Sequence, residues 1–336
     1  MAIPVSAFGE FEGQRVDQAV LQSDAGVVVS LTNWGVNVRD WQVPVAGGMR
    51  SVVLGFDSFS PYPEHSPHLG SLAGRVANRI AGSRFELNGK TYDLVPNTGP
   101  NHLHGGPEGI GRKVWAMEPD SAANAVKFTL DSPDGAMGYP GNVHFEAVYT
   151  LEGKKLKLAL SATTDAPTPI SLVQHQYFNL GTSDHVLDHH VQLASGARTL
   201  LGEGLVPTGE IVPVAGTDYD FRAGKTLYGQ DGKPVDYDLN YVLDHGRDLA
   251  DPVAIVTAPD KDLTLKLWTD RPGLQLYNSV TTDVPVPGLG GKMYKKHAGL
   301  CLEDQMFPDA VHHAHFPNII CTPDKPYSHW CDIEIG

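Results

Sequence analysis

Four short stretches of the chain carry side chains suited to proton chemistry on a polar ligand. Gly74-Arg75-Val76-Ala77-Asn78-Arg79-Ile80 sets a carboxamide, Asn78, beside a guanidinium, Arg79, in a glycine-bounded run that is otherwise largely apolar. Asn101-His102-Leu103-His104-Gly105-Gly106 spaces two imidazoles one residue apart and follows them with two glycines, which let a backbone crowd a ligand. Ser171 to Leu180 holds His175 between Gln174 and Gln176 in a strand-like segment, and Gly299 to Asp309 sets Glu303 directly after Leu300, Cys301 and Leu302. A planar fork of donors, an amide and imidazoles that titrate near neutrality suit a small polyhydroxylated ligand that must exchange protons at about pH 7.

Each stretch also has a plainer reading. A lone histidine such as His175 is more often a satisfied packing residue than a catalyst. Glu303 in a strand faces opposite to Leu302 and Asp304, so the two adjacent acids are not a side-by-side acid pair. A carboxylate set among Leu300, Cys301 and Leu302 is costly to bury without a role or a partner, which favours function. His102 and His104 fall on one strand face, and His312, His313 and His315 cluster near the C-terminus. Neither group has the HExxH, facial-triad or CxxC companions of a metal centre, so no metal is expected. Gly288 to Met293 lacks the GxxxxGK[ST] spacing of a phosphate loop and reads as a flexible loop, and there is no GxSxG nucleophile elbow.

The elements that must hold these residues read as strands. The 36 glycines and 25 prolines punctuate short segments of alternating polarity, the style of an all-β chain. Phe85 to Tyr92 reads as a hairpin closed by Asn88-Gly89. Val126, Phe128 and Leu130 alternate with polar residues, as do Val143 and Phe145. Leu156, Leu158 and Leu160 follow the Glu152-Gly153 turn with period two, and Leu263, Leu265 and Leu267 repeat it. No long stretch has helical apolar spacing, and Ser58 to Ser71, rich in Pro and His, reads as loop. With no linker, composition shift or repeat, residues 1–336 are expected to form one large antiparallel β-sandwich domain.

A net charge of −14 argues against nucleic-acid or anionic-membrane partners, which need clustered Lys and Arg. No apolar run approaches the roughly 18 residues of a membrane span. The N-terminus lacks a basic segment followed by an apolar one, so no signal peptide is expected. Three cysteines, Cys301, Cys321 and Cys331, fit a reducing compartment and packing roles, and a cytoplasmic location is expected.

Taken in order, these motifs resemble the aldose 1-epimerases (galactose mutarotases). The similarity runs from about Phe8 to the end and includes Val52-Val53-Leu54-Gly55-Phe56, Ser132-Pro133-Asp134-Gly135 and Gly138-Tyr139-Pro140-Gly141. The resemblance implies a single antiparallel β-sandwich and interconversion of the α and β anomers of a free aldose, without a cofactor, by a monomer or homodimer. It makes His175 the general acid, Glu303 the general base and His104 a partner of the ring oxygen. Arg79, Asn78, Asp238 and Gln275 would bind substrate. An ionised Glu303 with a protonated His175 is the expected working state near neutral pH. The chain departs from the pattern at Gln174 and Gln176, where Asn and Ser or Thr are common, at Leu239, and at Asp304, where a small hydroxyl residue is common. A glycoside hydrolase would need two carboxylates roughly 5–9.5 Å apart, and only one strong carboxylate motif is present. A non-catalytic sugar sensor would be free to lose His175 or Glu303, and both are here; a sugar-phosphate enzyme would want a further basic cluster.

Overall fold

A computed structural model describes residues 2–66 and 68–336. Met1, where the N-terminal reading begins, and Pro67, within the Ser58–Ser71 stretch, lie outside them.

Three large sheets organise the chain, and the pairings within them are antiparallel. The first is a five-stranded meander from Val5–Phe11 to Gly48–Ser51. The second has eight strands, with Tyr327–Ile335 lying between Lys155–Thr164 and Thr264–Thr269. The third orders Pro207–Pro213, Ala197–Leu201, Asp238–Val242, Gly273–Tyr277 and Cys301–Gln305, and this sheet carries the chemistry.

Period-two patterning explains how the sheets stack. In Val143–Glu152 every second residue is buried, starting at Val143, and the same holds along Lys155–Thr164 from Leu156. Those faces join one apolar core with Trp41 of the first sheet and Leu274 and Leu302 of the third. Burying each such large side chain contributes roughly 1.5–3 kcal/mol, so the core fixes register as well as stability. The expected hairpin is present as Arg84–Leu87 paired with Lys90–Asp93. Asn88 and Gly89 take φ of 54° and 75°, the pair of positive angles a tight hairpin turn requires.

Two local expectations are corrected. Ser58–Ser71 contains one helical turn, Tyr62–His65, beginning next to Pro61 and Pro63, whose fixed φ suits a first helical turn. His102 and His104 do not share a strand face. The strand ends at Leu103, and His104 turns to φ 52°, which swings its ring away from His102. His102 instead binds the Val95 carbonyl at 2.6 Å and packs edge-on against Tyr139.

Candidate active site

Strand alternation sorts the third sheet into an apolar face and a polar one. Leu239, Tyr241, Leu274, Leu276 and Leu302 enter the core, which turns Asp238, Asn240, Gln275 and Glu303 to the other side. Gln275 lies directly opposite both Asn240 and Glu303 in the ladders. Its amide nitrogen donates to Asp238 Oδ1 at 2.6 Å, and its oxygen accepts from Gln305 Nε2 at 3.3 Å. Gln305 also donates to Asn240 Oδ1 at 3.1 Å, so the amide orientations along this face are mutually fixed. Asp238 Oδ2 remains for Arg79, 3.4 Å away.

His175 arrives on a segment pinned on both sides. Its N–H donates to the Ser71 carbonyl at 2.9 Å, and its carbonyl accepts from Gly70 N at 3.0 Å. The ring lies nearly parallel to Tyr177, with centroids 4.9 Å apart, and to His68 at 5.9 Å; His104 meets it edge-on at 5.2 Å. Nε2 of His175 lies 3.5 Å from Glu303 Oε1. His175 Nδ1 and Glu303 Oε2 are buried without a hydrogen-bond partner, a cost that a functional group offsets when a ligand completes it.

Asn78 and His104 hold each other. The backbone N–H of Asn78 donates to His104 Nδ1 at 3.2 Å, and the backbone N–H of His104 donates to the backbone carbonyl of Asn78 at 3.0 Å. An Nδ1 that accepts leaves the neutral ring's proton on Nε2, so His104 serves as a hydrogen-bond donor. His68, Asn78, His104 and Leu205 all line the cleft, and all have positive φ, an uncommon backbone state that concentrates at functional sites.

The glycines after His104 act otherwise than expected. A Cβ on Gly105 would stand 1.7 Å from the Gly74 carbonyl oxygen, and one on Gly106 would stand 2.7 Å from the His102 ring. They let two backbone segments close beneath the site rather than meet a ligand. Arg75 is also structural. Its guanidinium donates to the carbonyls of Ser132, Pro133, Pro140 and Gly141 at 2.8–3.0 Å. The Ser132–Gly135 and Gly138–Gly141 motifs therefore wrap a buried cation, whose pKa burial lowers to about 10.

Electrostatics correct a further expectation. Burial, reinforced by Asp238, pushes the Glu303 carboxyl well above the ordinary carboxylate range, while Arg79 opposes the rise. Burial, with His68 beside it, drops His175 to about 3. His104 is lowered well below its usual value and His68 to about 4, both chiefly by burial. Despite their ion-pair spacing, burial shifts both Glu303 and His175 towards their neutral forms, carboxylic acid and imidazole. Neither charge is compensated well enough to leave water.

Asn78, Arg79, His104, His175, Asp238, Gln275 and Glu303 meet in one cleft of about 190 Å³. The sequence reading missed His68, Tyr177, Tyr277, Leu205, Val280 and Thr281, which complete its walls and rim. His68 had one signal, the density of histidine in Ser58–Ser71. Tyr177 sits two residues after His175 and so shares its face in an extended segment. A roomier hollow of about 260 Å³ lies beside Arg50 and Lys292, but its one carboxylate, Asp184, is exposed and no histidine lines it. His104, His175 and Glu303 each offer one metal-ligand atom, and these atoms lie within 4.8 Å of one another. Two ligands of one zinc ion stand at most about 4.2 Å apart, so the widest spacing allowed there would have to close.

Comparison with known proteins places the chain in a family. The family model for aldose 1-epimerase matches residues 17–334. The chain belongs to the aldose 1-epimerase family. Galactose mutarotase of Bos taurus is 38% identical over 330 residues, covering 96% of this chain and 95% of its own. Aldose 1-epimerase of Escherichia coli K12 is 34% identical over 328 residues, 94% of each chain. The solved structure of a GalM/aldose epimerase homologue from C. elegans superposes with a TM-score of 0.90 at 28% identity, over 95% of this chain and 98% of that one. The antiparallel sandwich is thus the aldose epimerase fold. Among the described residues no helix is long and apolar enough to cross a membrane.

Proposed function

We propose that this aldose 1-epimerase opens and recloses the ring of a free aldose with Glu303 as base and His175 as acid. Glu303 takes the proton from the anomeric hydroxyl, the C1–O5 bond breaks as C1=O1 forms, and His175 delivers a proton to O5. Rotation about C1–C2 and reclosure with the roles reversed give the other anomer. Atoms and electrons balance without oxidant, reductant or co-reactant. His104 donates to the ring oxygen, and Arg79, Asn78, Asp238 and Gln275 hold the hydroxyls. The same reading takes residues 1–336 as one domain acting in the cytoplasm, alone or as a homodimer, on a small free sugar.

The observation that carries this reading is the buried Glu303–His175 pair, 3.5 Å apart, with one unpartnered polar atom on each group. The pair holds one proton in either arrangement, so acid and base titrate as a unit. Without sugar, burial keeps that proton on Glu303. Sugar hydroxyls donating to the carboxylate add to the pull of Arg79, and the proton moves to His175. Positioned transfers of this kind are worth about 10²–10⁴-fold each.

Anomer-exchange NMR of the parent, His175→Asn and His104→Gln tests the roles. Asn cannot deliver a proton, so His175→Asn should lose most of kcat at every pH. Gln at position 104 keeps a donor and should retain more activity. A dead His104→Gln beside a nearly normal His175→Asn would move the acid to His104.

A further inference from the structure

Gln174 and Gln176, which flank His175, and Asp304, which follows Glu303, point away from the cleft, and they are polar where a core would ordinarily be apolar. Asp304, fully buried, accepts from Thr269 Oγ1 and His329 Nε2, both at 2.6 Å. His329 Nδ1 lies 3.2 Å from the Tyr327 hydroxyl, which itself accepts from the Leu172 amide at 3.1 Å. One assignment of protons satisfies the chain: Leu172 N–H to Tyr327, Tyr327 O–H to His329 Nδ1, and His329 Nε2–H to Asp304. A second group of polar side chains lies beside it. The buried Cys331 thiol lies near Asp304 and Gln174, both of which influence its ionisation, and the Tyr149 hydroxyl joins Gln174 and Gln176 at 3.4 and 3.3 Å.

The hydrogen-bonded chain connects two places, and the second group of polar side chains lies beside both. Asp304 is bonded to Glu303, while Leu172, Gln174 and Gln176 bracket His175 in sequence. The linkers Tyr327, His329 and Cys331 stand on Tyr327–Ile335, a strand held on both sides within the eight-stranded sheet. Asp304, Gln174 and Gln176 are also positions at which the chain departs from residues common in the family.

We propose that Asp304, His329 and Tyr327 form a buried polar brace that fixes the spacing of Glu303 and His175 and sets a negative charge behind the base. The three are positioning residues, and the proposal rests on the acid–base reading above. Thr269 and His329 both donate to Asp304 Oδ2, while Oδ1 is buried without a partner, so loss of either donor leaves a still costlier buried acid. Asp304 also adds to the charges that keep the Glu303 carboxyl protonated, after burial and Asp238 and against Arg79. His175, His104 and His68 face Glu303 from the cleft side, and Cys301 shares its strand face.

The test compares the full-length parent with Asp304→Asn and Tyr327→Phe, measuring kcat, KM, the pH–rate profile and thermal melting. Asp304→Asn removes the charge at nearly constant shape. It should lower kcat about tenfold, the scale of one well-placed hydrogen bond, with KM within about twofold. The alkaline limb should move to lower pH, because a lost negative charge lets Glu303 release its proton more easily. Tyr327→Phe keeps the charge and cuts the link, so kcat should fall with the limb unmoved. A merely structural role would lower melting and leave kcat per folded molecule and the limb unchanged, and that result overturns the brace. Should Asp304→Asn not fold, unchanged kcat in Tyr327→Phe overturns it equally. Glu303→Gln separates the two readings. If it stays active, the acid–base assignment fails; if it is inactive while both brace variants behave as the parent, only the brace fails.

Discussion

Replacing Glu303 with Gln should move activity and stability in opposite directions. Gln matches the carboxyl in shape but cannot take a proton, so anomer exchange should fall by about 10²–10⁴-fold. Stability follows from the raised Glu303 pKa. The unfolded chain releases this proton near pH 4.5 while the folded chain keeps it, so the native carboxyl loses relative stability as pH rises above 4.5. Gln has no proton to lose. At neutral pH the variant should gain about 1–3 kcal/mol, since each tenfold difference in proton affinity between folded and unfolded carboxyl is worth about 1.4 kcal/mol. Unfolding entropy of roughly 2.1 cal/mol/K per residue gives about 0.7 kcal/mol/K for this chain, so melting should rise by about 1.5–4 °C. The gain should vanish by about pH 4.5. The assays are anomer-exchange NMR and calorimetry on the same preparations at several pH values. A variant that melts lower than the parent at pH 7 would refute the buried neutral carboxyl, and near-parental turnover would refute the base.

His68, His175 and His189 are buried with pKa values near 4, 3 and 4, so they stay neutral while the unfolded chain protonates below about 6.5. Stability is therefore lost as pH falls from about 6.5 towards 4, outweighing the opposing trends of Glu303, His312 and Asp332, whose raised pKa values favour the folded chain as pH falls; a melting temperature that is flat across this window would contradict it. Arg75→Met should cost about 3 kcal/mol or more, because four carbonyls lose a charged donor, and urea unfolding at parental stability would show that the wrapped cation is dispensable. Exhaustive chelation should leave turnover unchanged; a loss with EDTA restored by one divalent ion would show that His104, His175 and Glu303 work around a metal.

The strands were legible because half-buried strands write their two faces into the sequence. Leu156, Leu158 and Leu160 are plain examples, and the same alternation located Glu303 as an isolated acid facing away from Leu302. His175 and Arg79 were legible through motif order. What failed to show has a common cause: it depends on which distant segments meet. The protonation of Glu303 and His175 follows from burial and neighbours, not from residue type. His68 reaches the cleft from a stretch whose local pattern says only loop, and His329 meets Asp304 only because two different sheets stack. Gly105 and Gly106 signalled close approach correctly but could not name the neighbour, which is the protein's own backbone and a histidine ring.

Glu303, Gln275 and Asp238 stand on strands, whereas Leu205 reaches the same cleft from the turn Glu203–Leu205, and Val280 and Thr281 reach it from the loop after Gly273–Tyr277. Selection can therefore act on the two sets almost separately. A change at Leu205, 42% exposed at the rim, alters the space offered to a sugar without disturbing the ladder that spaces the carboxyl. Diversification of sugar preference among such proteins should accumulate in the turns, leaving the proton-handling strands as an inherited constant. Libraries aimed at new sugars belong at those three positions first.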